Sequence, residues 1–254
     1  VIFVEGLMPD ILIRHFLLEE ENIYRELSSL ILDVGCATGF FTSKFSDAIG
    51  LDISKENLLT AKKFLHNKEF VRAEASYLPF KKECFDGIVS MEVLEHTTNP
   101  VKSIEDIYYC LKPKGKYLLT FDVFSPIRPF VKFVVSRFVV VDWHKKTILS
   151  DKKDWTMIDE KKILYILSTL FIIIKKRNIR GIITNLLCVL SIIIEKLSRP
   201  KNTARKDIGS QHIRVNSLLI KCYIRYLKPL VEVITKNDPL KWDTAGILVL
   251  AEKK

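Results

Sequence analysis

Short apolar runs alternate with helical patterns along the first half of the chain. Leu30 to Val34 is an apolar run broken only by Asp33, and it ends in a glycine loop. It reads as a buried strand followed by a turn. Ala48 to Asp52 is a second short strand ending in an acid. Glu69 to Arg72, Phe85 to Ser90 and Lys116 to Phe121 repeat the pattern. Between them, residues 10–29 carry Ile11, Phe16, Leu17 and Tyr24 among charges and read as a helix. Phe40 to Phe45 reads as a helix start. Ser54 caps the next helix, with Asn57 at its third position. Pro100 to Leu111 is a further helix, and Pro113 to Gly115 a turn. Strands alternating with helices at this pace predict an α/β fold with a doubly wound, mostly parallel sheet.

After Asp122 the pattern loosens. Pro126 and Pro129 open a stretch rich in Phe and Val, and residues 123–150 read as a lid. Asp159 to Ser168 reads as a helix, Leu170 to Ile174 as a sixth strand, and Ala245 to Ala251 as the last. Residues 179–242 lie between these as a helical insertion. The whole chain, 1–254, is read as one domain whose residues 1–122 form a ligand-binding core.

Charge separates the two halves. Residues 1–122 hold 14 Lys and Arg against 19 Asp and Glu, whereas residues 123–254 hold 26 against 11. The net charge of +10 therefore belongs to the second half. A basic half suggests an anionic partner. Five scattered cysteines without a CxxC or Cys/His cluster argue against a zinc site and suit a reducing cytoplasm. Val1 to Asp10 lack the basic start and small-residue cleavage site of a secretory leader, so the expected location is cytoplasmic.

The loop Asp33 to Gly39 is the first chemical signal. Glycines after a strand let the backbone approach a ligand closely, and amides there are expected to point inward. Asp52 lies 19 residues beyond Asp33, at the end of the second strand. An acid there can accept both hydroxyls of a ribose. The loop lacks GxGxxG spacing, which disfavours a nicotinamide- or flavin-linked oxidoreductase.

The stretches ILDVGCATG, GLDIS, EASYLPFKKECFDGIVSMEVLEH and LKPKGKYLLTF resemble the class I methyltransferase family, in order and at its spacing. The resemblance covers residues 31–122 and returns weakly at 154–178 and 245–254. It implies a Rossmann-like, seven-stranded sheet with the last strand antiparallel, binding S-adenosylmethionine at the carboxyl ends of the strands. Asp33, Gly35, Cys36, Ala37 and Gly39 would then surround the methionine part of the cofactor. Asp52 would hold the ribose and Ile53 would pack on the adenine. Glu74 and Ala75 match the family's acid-plus-small pair, and Met91 and Glu92 would line the site after the fourth strand. Ala37 stands where many members have glycine, which is tolerable if its φ stays negative. Glu74 stands where aspartate is commoner.

A sulfonium carries its own activated methyl group, so the protein mainly aligns an acceptor and excludes water. A base is needed only for a protonated acceptor. His96 is the first candidate and His144 the second. The segment MEVLEH resembles ubiquinone-pathway O-methyltransferases, some of which are thought to hold a divalent ion there. That resemblance would make Glu92, Glu95 and His96 ligands. The alternative is that Glu92 faces the cofactor and the other two begin a loop, and no metal is assigned.

The second half bears on the acceptor. Gly181 to Ile194 is a 14-residue apolar run, too short to cross a bilayer. Arg214, Ser217, Lys221, Arg225 and Lys228 make a basic stripe opposite Val215, Leu218, Leu219, Cys222, Tyr226 and Leu230. Segments 181–198 and 213–231 thus fit peripheral contact with the inner face of a membrane, or simply helices that pack over the site. The expected acceptor is a small molecule or lipid. An RNA or tRNA methyltransferase and a silent scaffold with this fold are the alternatives. The fourth-strand segment lacks an NPPY-like motif, and the basic face lacks an aromatic stacking array.

Overall fold

The computed structural model describes Leu18 and residues 22–27, 29–123, 158–178 and 246–254. All of them belong to one compact unit. Seven strands form one sheet: β1 (Ile31–Val34), β2 (Ala48–Asp52), β3 (Glu69–Arg72), β4 (Phe85–Met91), β5 (Leu111–Asp122), β6 (Phe171–Asn178) and β7 (Gly246–Lys253). Their order across the sheet is β3-β2-β1-β4-β5-β7-β6. The first five run parallel, and β7 lies antiparallel to both β5 and β6. The expected sheet, with its antiparallel last strand, is present.

Burial follows the sequence pattern. Every residue of β1 is buried, Asp33 included, as expected of a central strand covered on both faces. The outermost strands β3 and β6 are half covered and carry charge instead. Leu32, Val34, Leu51, Phe85, Ile88, Ile104, Leu119, Phe121, Leu167 and Val249 belong to one continuous core. Burying each such side chain contributes roughly 1.5–3 kcal/mol. Phe171 packs edge-on against Tyr108, 5.5 Å between ring centres, tying β6 to the helix before β5.

Four α-helices accompany the strands in the described residues: α1 (Ile23–Glu26), α2 (Lys55–Phe64), α3 (Pro100–Cys110) and α4 (Glu160–Leu170). Ser54 caps α2 as expected, its hydroxyl accepting the Asn57 N–H at 3.2 Å. Asn99 caps α3, with Pro100 preset for the first helical position. Asp159 caps α4 by accepting from the Lys161 and Lys162 amides.

Three expectations change. Residues 10–29 are not one continuous helix, because Asn22 sits at φ 53 and Leu27 is extended; of the described part, Leu18 and Ile23–Glu26 are helical. Phe40 to Phe45 yields only a 3-10 turn, Thr42–Lys44. Eight residues separate Gly39 from the start of β2, and Phe41, Thr42 and Phe45 are all buried in that short span. Pro113 to Gly115 is a turn inside a strand. β5 already pairs through Leu111 with Phe85 and resumes at Lys116 opposite Gly87. The intervening bulge places Lys114 at φ 61 and lets Lys112 reach Asp86 at 2.9 Å.

The sheet also fixes where the chain leaves it. Val34, Asp52, Met91 and Asp122 end parallel strands at one edge. Because β7 is antiparallel, Asp122 pairs with Gly246 and Asn178 with Ile247 at that same edge. The insertion 179–242, the membrane segments 181–198 and 213–231, His144, and all of the lid 123–150 except Val123 lie outside the described residues.

Candidate functional site

The candidate site lies at the carboxyl edge of the parallel strands, where backbone leaves the sheet and side chains converge. After Val34 the chain turns left-handed at Gly35 (φ 70), Ala37 (φ 47) and Gly39 (φ 85). The expected negative φ at Ala37 is therefore corrected. Left-handed backbone crowds an alanine Cβ and costs roughly 1–2 kcal/mol. Gly35 is required twice over. Its φ favours glycine, and a Cβ there would stand 2.4 Å from Cγ2 of Val93.

The loop amides do not point into an open cradle, contrary to expectation. Gly35 and Cys36 both donate to the Leu51 carbonyl, at 2.7 and 2.9 Å. Ala37 donates to Oδ2 of Asp52 at 2.9 Å, and Gly39 to the Cys36 carbonyl at 2.8 Å. The first three of these bonds lash the loop to β2, and the fourth closes a turn within it. A phosphate-binding nest needs successive amides converging on an anion, and these are spent elsewhere.

Asp52 is half-buried and central to that lashing. Its other oxygen, Oδ1, accepts the Ser54 N–H at 2.8 Å. One carboxylate thus fixes both the glycine loop and the start of α2. Ile53 follows it, half-buried, its carbonyl accepting from Nε of Arg72 at 3.0 Å.

Asp33 is buried, its Oδ2 accepting the Thr42 hydroxyl at 2.6 Å. Burial pushes its carboxyl up to about 7, although the Thr42 bond pulls it back. It braces the loop from beneath. Cys36 is likewise buried, its sulfur packed toward Gly50, where a Cβ would approach Sγ to 2.8 Å. Burial drives this thiol far above its ordinary range, with Asp33 and Asp52 adding to the effect, so it is unreactive.

The segment after β3 abuts β2, with the Ala73 N–H donating to the Asp52 carbonyl at 3.2 Å. Glu74 is half-buried and accepts from the Thr98 hydroxyl, while Ala75 is buried. Across the rim, Glu92 follows β4 at φ 56. Its N–H is shared between the carbonyl and Oγ1 of Thr120, at 3.0 and 3.1 Å. The Thr120 hydroxyl also donates to Sδ of Met91 at 3.7 Å. The rim therefore brings together Asp52, Glu74, Met91 and Glu92 around the loop.

Sequence reasoning missed Asp122. Oxygens of Glu92, Glu95 and Asp122 lie within 4.8 Å of one another. Glu95, on the 3-10 turn Leu94–His96, is buried and accepts the Asp122 N–H at 3.2 Å. Burial pushes its carboxyl up to about 8, and the Glu92 and Asp122 charges push the same way. Within this cluster, burial favours the protonated form of Glu95. His96 is exposed, so the trio that converges is not the Glu92, Glu95, His96 set expected from the local motif. The missed signal was register. β4 and β5 pair Met91 with Thr120, which brings the acids just beyond each position together.

Comparison with known proteins bears on this site. The methyltransferase-domain family matches residues 32–119. The ubiquinone/menaquinone biosynthesis C-methyltransferase of Wigglesworthia glossinidia brevipalpis is 31% identical over 115 residues, 40% of this chain and 46% of that one. The chain spans about half the length of the curated relatives it matches. In fold it is similar to a protein of Pyrococcus horikoshii OT3, with a TM-score of 0.57 at 14% identity, covering 99% of this chain and 95% of that one. It is also similar to phosphoethanolamine N-methyltransferase 2 of Haemonchus contortus, solved in complex with S-adenosyl-L-methionine. There the TM-score is 0.54 at 19% identity, covering 89% of this chain and 49% of that one.

Proposed function

We propose, from the match of residues 32–119 to the methyltransferase-domain family, that the chain is a class I methyltransferase that transfers the methyl group of S-adenosylmethionine to a small-molecule or lipid-like acceptor. One observation carries the cofactor reading. A loop whose amides are consumed by Leu51 and Asp52 stands beside a rim of carboxylates: Asp52, Glu74, Glu92 and Asp122. Such a rim repels phosphates and attracts a cation. S-adenosylmethionine carries a sulfonium and no phosphate, so it suits the rim where a dinucleotide does not.

On this reading Gly35, Ala37 and Gly39 present a rigid backbone to the methionine part, braced by Asp33 and Cys36. Asp52 faces the ribose hydroxyls, Ile53 the adenine ring, and Glu74 with Ala75 the adenine edge. Met91 and Glu92 close the side nearest the sulfonium. When bound, the cofactor supplies the activated methyl group. The chain then has to hold the acceptor in line and take up any proton released. Exposed His96 and the buried carboxyl of Glu95, beside Glu92 and Asp122, are the described side chains suited to that task. The relative named for ubiquinone and menaquinone biosynthesis supports an apolar, quinone-like ring among the acceptors to test.

Calorimetric titration with S-adenosylmethionine, followed by transfer from labelled cofactor to quinone-like, lipid and RNA pools, tests the reading. Binding plus label in a quinone-like or lipid product is expected. Absence of binding would favour a silent scaffold, and label in RNA alone would overturn the acceptor class.

A further inference from the structure

Thr120, near the carboxyl end of β5, carries a hydroxyl that packing does not require. It is fully buried and flanked along the strand by Leu118, Leu119 and Phe121, all buried. A valine would fill the same space, suit a strand equally and bury no polar group. The hydroxyl instead engages the chain where it leaves β4. Its Oγ1 accepts the Glu92 N–H at 3.1 Å and donates to Sδ of Met91 at 3.7 Å. The Thr120 carbonyl accepts the same N–H at 3.0 Å. Glu92 stands at φ 56, a conformation that residues with long side chains seldom adopt and that persists only where neighbours enforce it. Thr120, paired with Met91 across the sheet, is such a neighbour. Strand order gives the position its meaning. From β1 the sheet runs through β2 to β3 on one side and through β4 to β5 on the other. In such a sheet the ligand crevice opens between the carboxyl ends of β1 and β4. Gly35 bounds it after β1 and Glu92 after β4. The two lie close together, since a Cβ on Gly35 would stand 2.4 Å from Cγ2 of Val93, the residue after Glu92. Oxygens of Glu95 and Asp122 lie within 4.8 Å of an oxygen of Glu92, which makes this corner of the crevice acidic and favourable to a cation.

We infer that Thr120 is a positioning residue: it holds Glu92 so that the carboxylate addresses the sulfonium, and the site thereby discriminates the charged cofactor from its neutral thioether product. The inference rests on the methyltransferase reading above. S-adenosylmethionine and S-adenosylhomocysteine differ by one methyl group and by the positive charge on sulfur. Their adenine, ribose, ammonium and carboxylate are the same. Asp52, Ile53 and Glu74 therefore meet both compounds alike, whereas a carboxylate beside the sulfur favours only the charged one. When an acceptor lone pair takes the methyl group, the S–CH3 bonding pair stays on sulfur and neutralises it. The attraction to Glu92 ends with the reaction, which eases release of the thioether.

The test is calorimetric titration of the full chain and its variants with S-adenosylmethionine and with S-adenosylhomocysteine. Thr120→Val loses the hydroxyl and keeps the carbonyl, so the sheet ladder stays intact. Its affinity for S-adenosylmethionine is expected to fall about three- to tenfold, the worth of one such hydrogen bond, with affinity for S-adenosylhomocysteine unchanged. Thr120→Ser keeps the hydroxyl and is expected to restore the wild-type ratio of the two affinities. Glu92→Gln removes the charge itself and is expected to shift the ratio at least as far as Thr120→Val does. Thr120→Ala also lacks the hydroxyl and cannot overpack, so it carries the same expectation if the valine variant does not fold. Equal loss of both affinities, or loss of neither, in the variants without the hydroxyl overturns the inference, as does an unchanged ratio in Glu92→Gln or a serine variant that behaves like valine. Each of those results leaves the methyltransferase reading standing. A wild-type chain that binds neither compound overturns that reading and this inference together.

Discussion

Replacing Gly35 by alanine should damage the loop in a way that a second substitution partly repairs. Two costs are visible. At φ 70 an alanine pays roughly 1–2 kcal/mol for left-handed backbone. Its Cβ would also meet Cγ2 and Cγ1 of Val93 at 2.4 and 3.2 Å. Val93 is buried and immediately precedes the turn that carries Glu95, so it has little room to retreat. Overpacking of this kind costs about 1–3 kcal/mol. The single variant is thus expected to lose roughly 2–5 kcal/mol, and cofactor affinity with it, because a displaced Val93 drags Glu92. Val93→Ala removes both clashing methyl groups. In the double variant the overlap vanishes and only the backbone cost remains. Urea unfolding followed by far-ultraviolet circular dichroism, on all four members of the cycle, measures this. A coupling of about 1–3 kcal/mol that offsets the Gly35→Ala loss is expected. Strict additivity would refute the contact as the cause.

Asp33 makes stability depend on pH. Its native carboxyl titrates at about 7 against 3.8 unfolded, so between those values the native state keeps a proton that the unfolded chain has lost. Stability should therefore fall as pH rises from about 4 to about 7, by at most roughly 4 kcal/mol from this group, and Asp33→Asn should flatten Tm across that window. A Tm that rises through the window, or an unchanged slope in the variant, would contradict the assignment. Asp52→Ala removes the acceptor for two amides, and charge-assisted bonds of this type contribute about 1.5–3 kcal/mol each; a fall of at least about 100-fold in S-adenosylmethionine affinity is expected by calorimetry. Asp52→Asn retains one acceptor oxygen and should fall between the two. Ala37→Gly relieves left-handed strain but gains unfolded-state entropy of about 0.4–1 kcal/mol; differential scanning calorimetry should find it neutral to slightly stabilising.

The sheet was legible because its signals are local. The strands from β1 to β4 are short stretches with apolar centres, and their observed bounds differ from the expected ones by at most a residue. What was not legible depended on long-range geometry. Thr42 gives no sign in sequence that its hydroxyl belongs to Asp33, nine positions away. Asp122 stood just past the expected end of a strand at Phe121, and only the pairing of β4 with β5 makes it a neighbour of Glu92 and Glu95. The amides of the glycine loop misled for a related reason. The sequence signals a flexible backbone, but their direction is set by the carbonyl of Leu51 on the adjoining strand. His96 earned attention by proximity in sequence to two acids, yet the 3-10 turn points Glu95 inward and leaves the histidine outside.

The reversed direction of β7 has an evolutionary meaning. Three chain junctions, at Val123, Asn178 and Gly246, open at the rim that holds the carboxylates, and none of them opens at the opposite edge. The chain between Asn178 and Gly246, or between Val123 and Ile158, can be lengthened, shortened or exchanged without breaking a ladder bond of the sheet. These segments and the sheet can therefore diverge at different rates in one gene. Grafting the corresponding segment of a relative between Asn178 and Gly246 is the natural route to a chimera with an unchanged sheet.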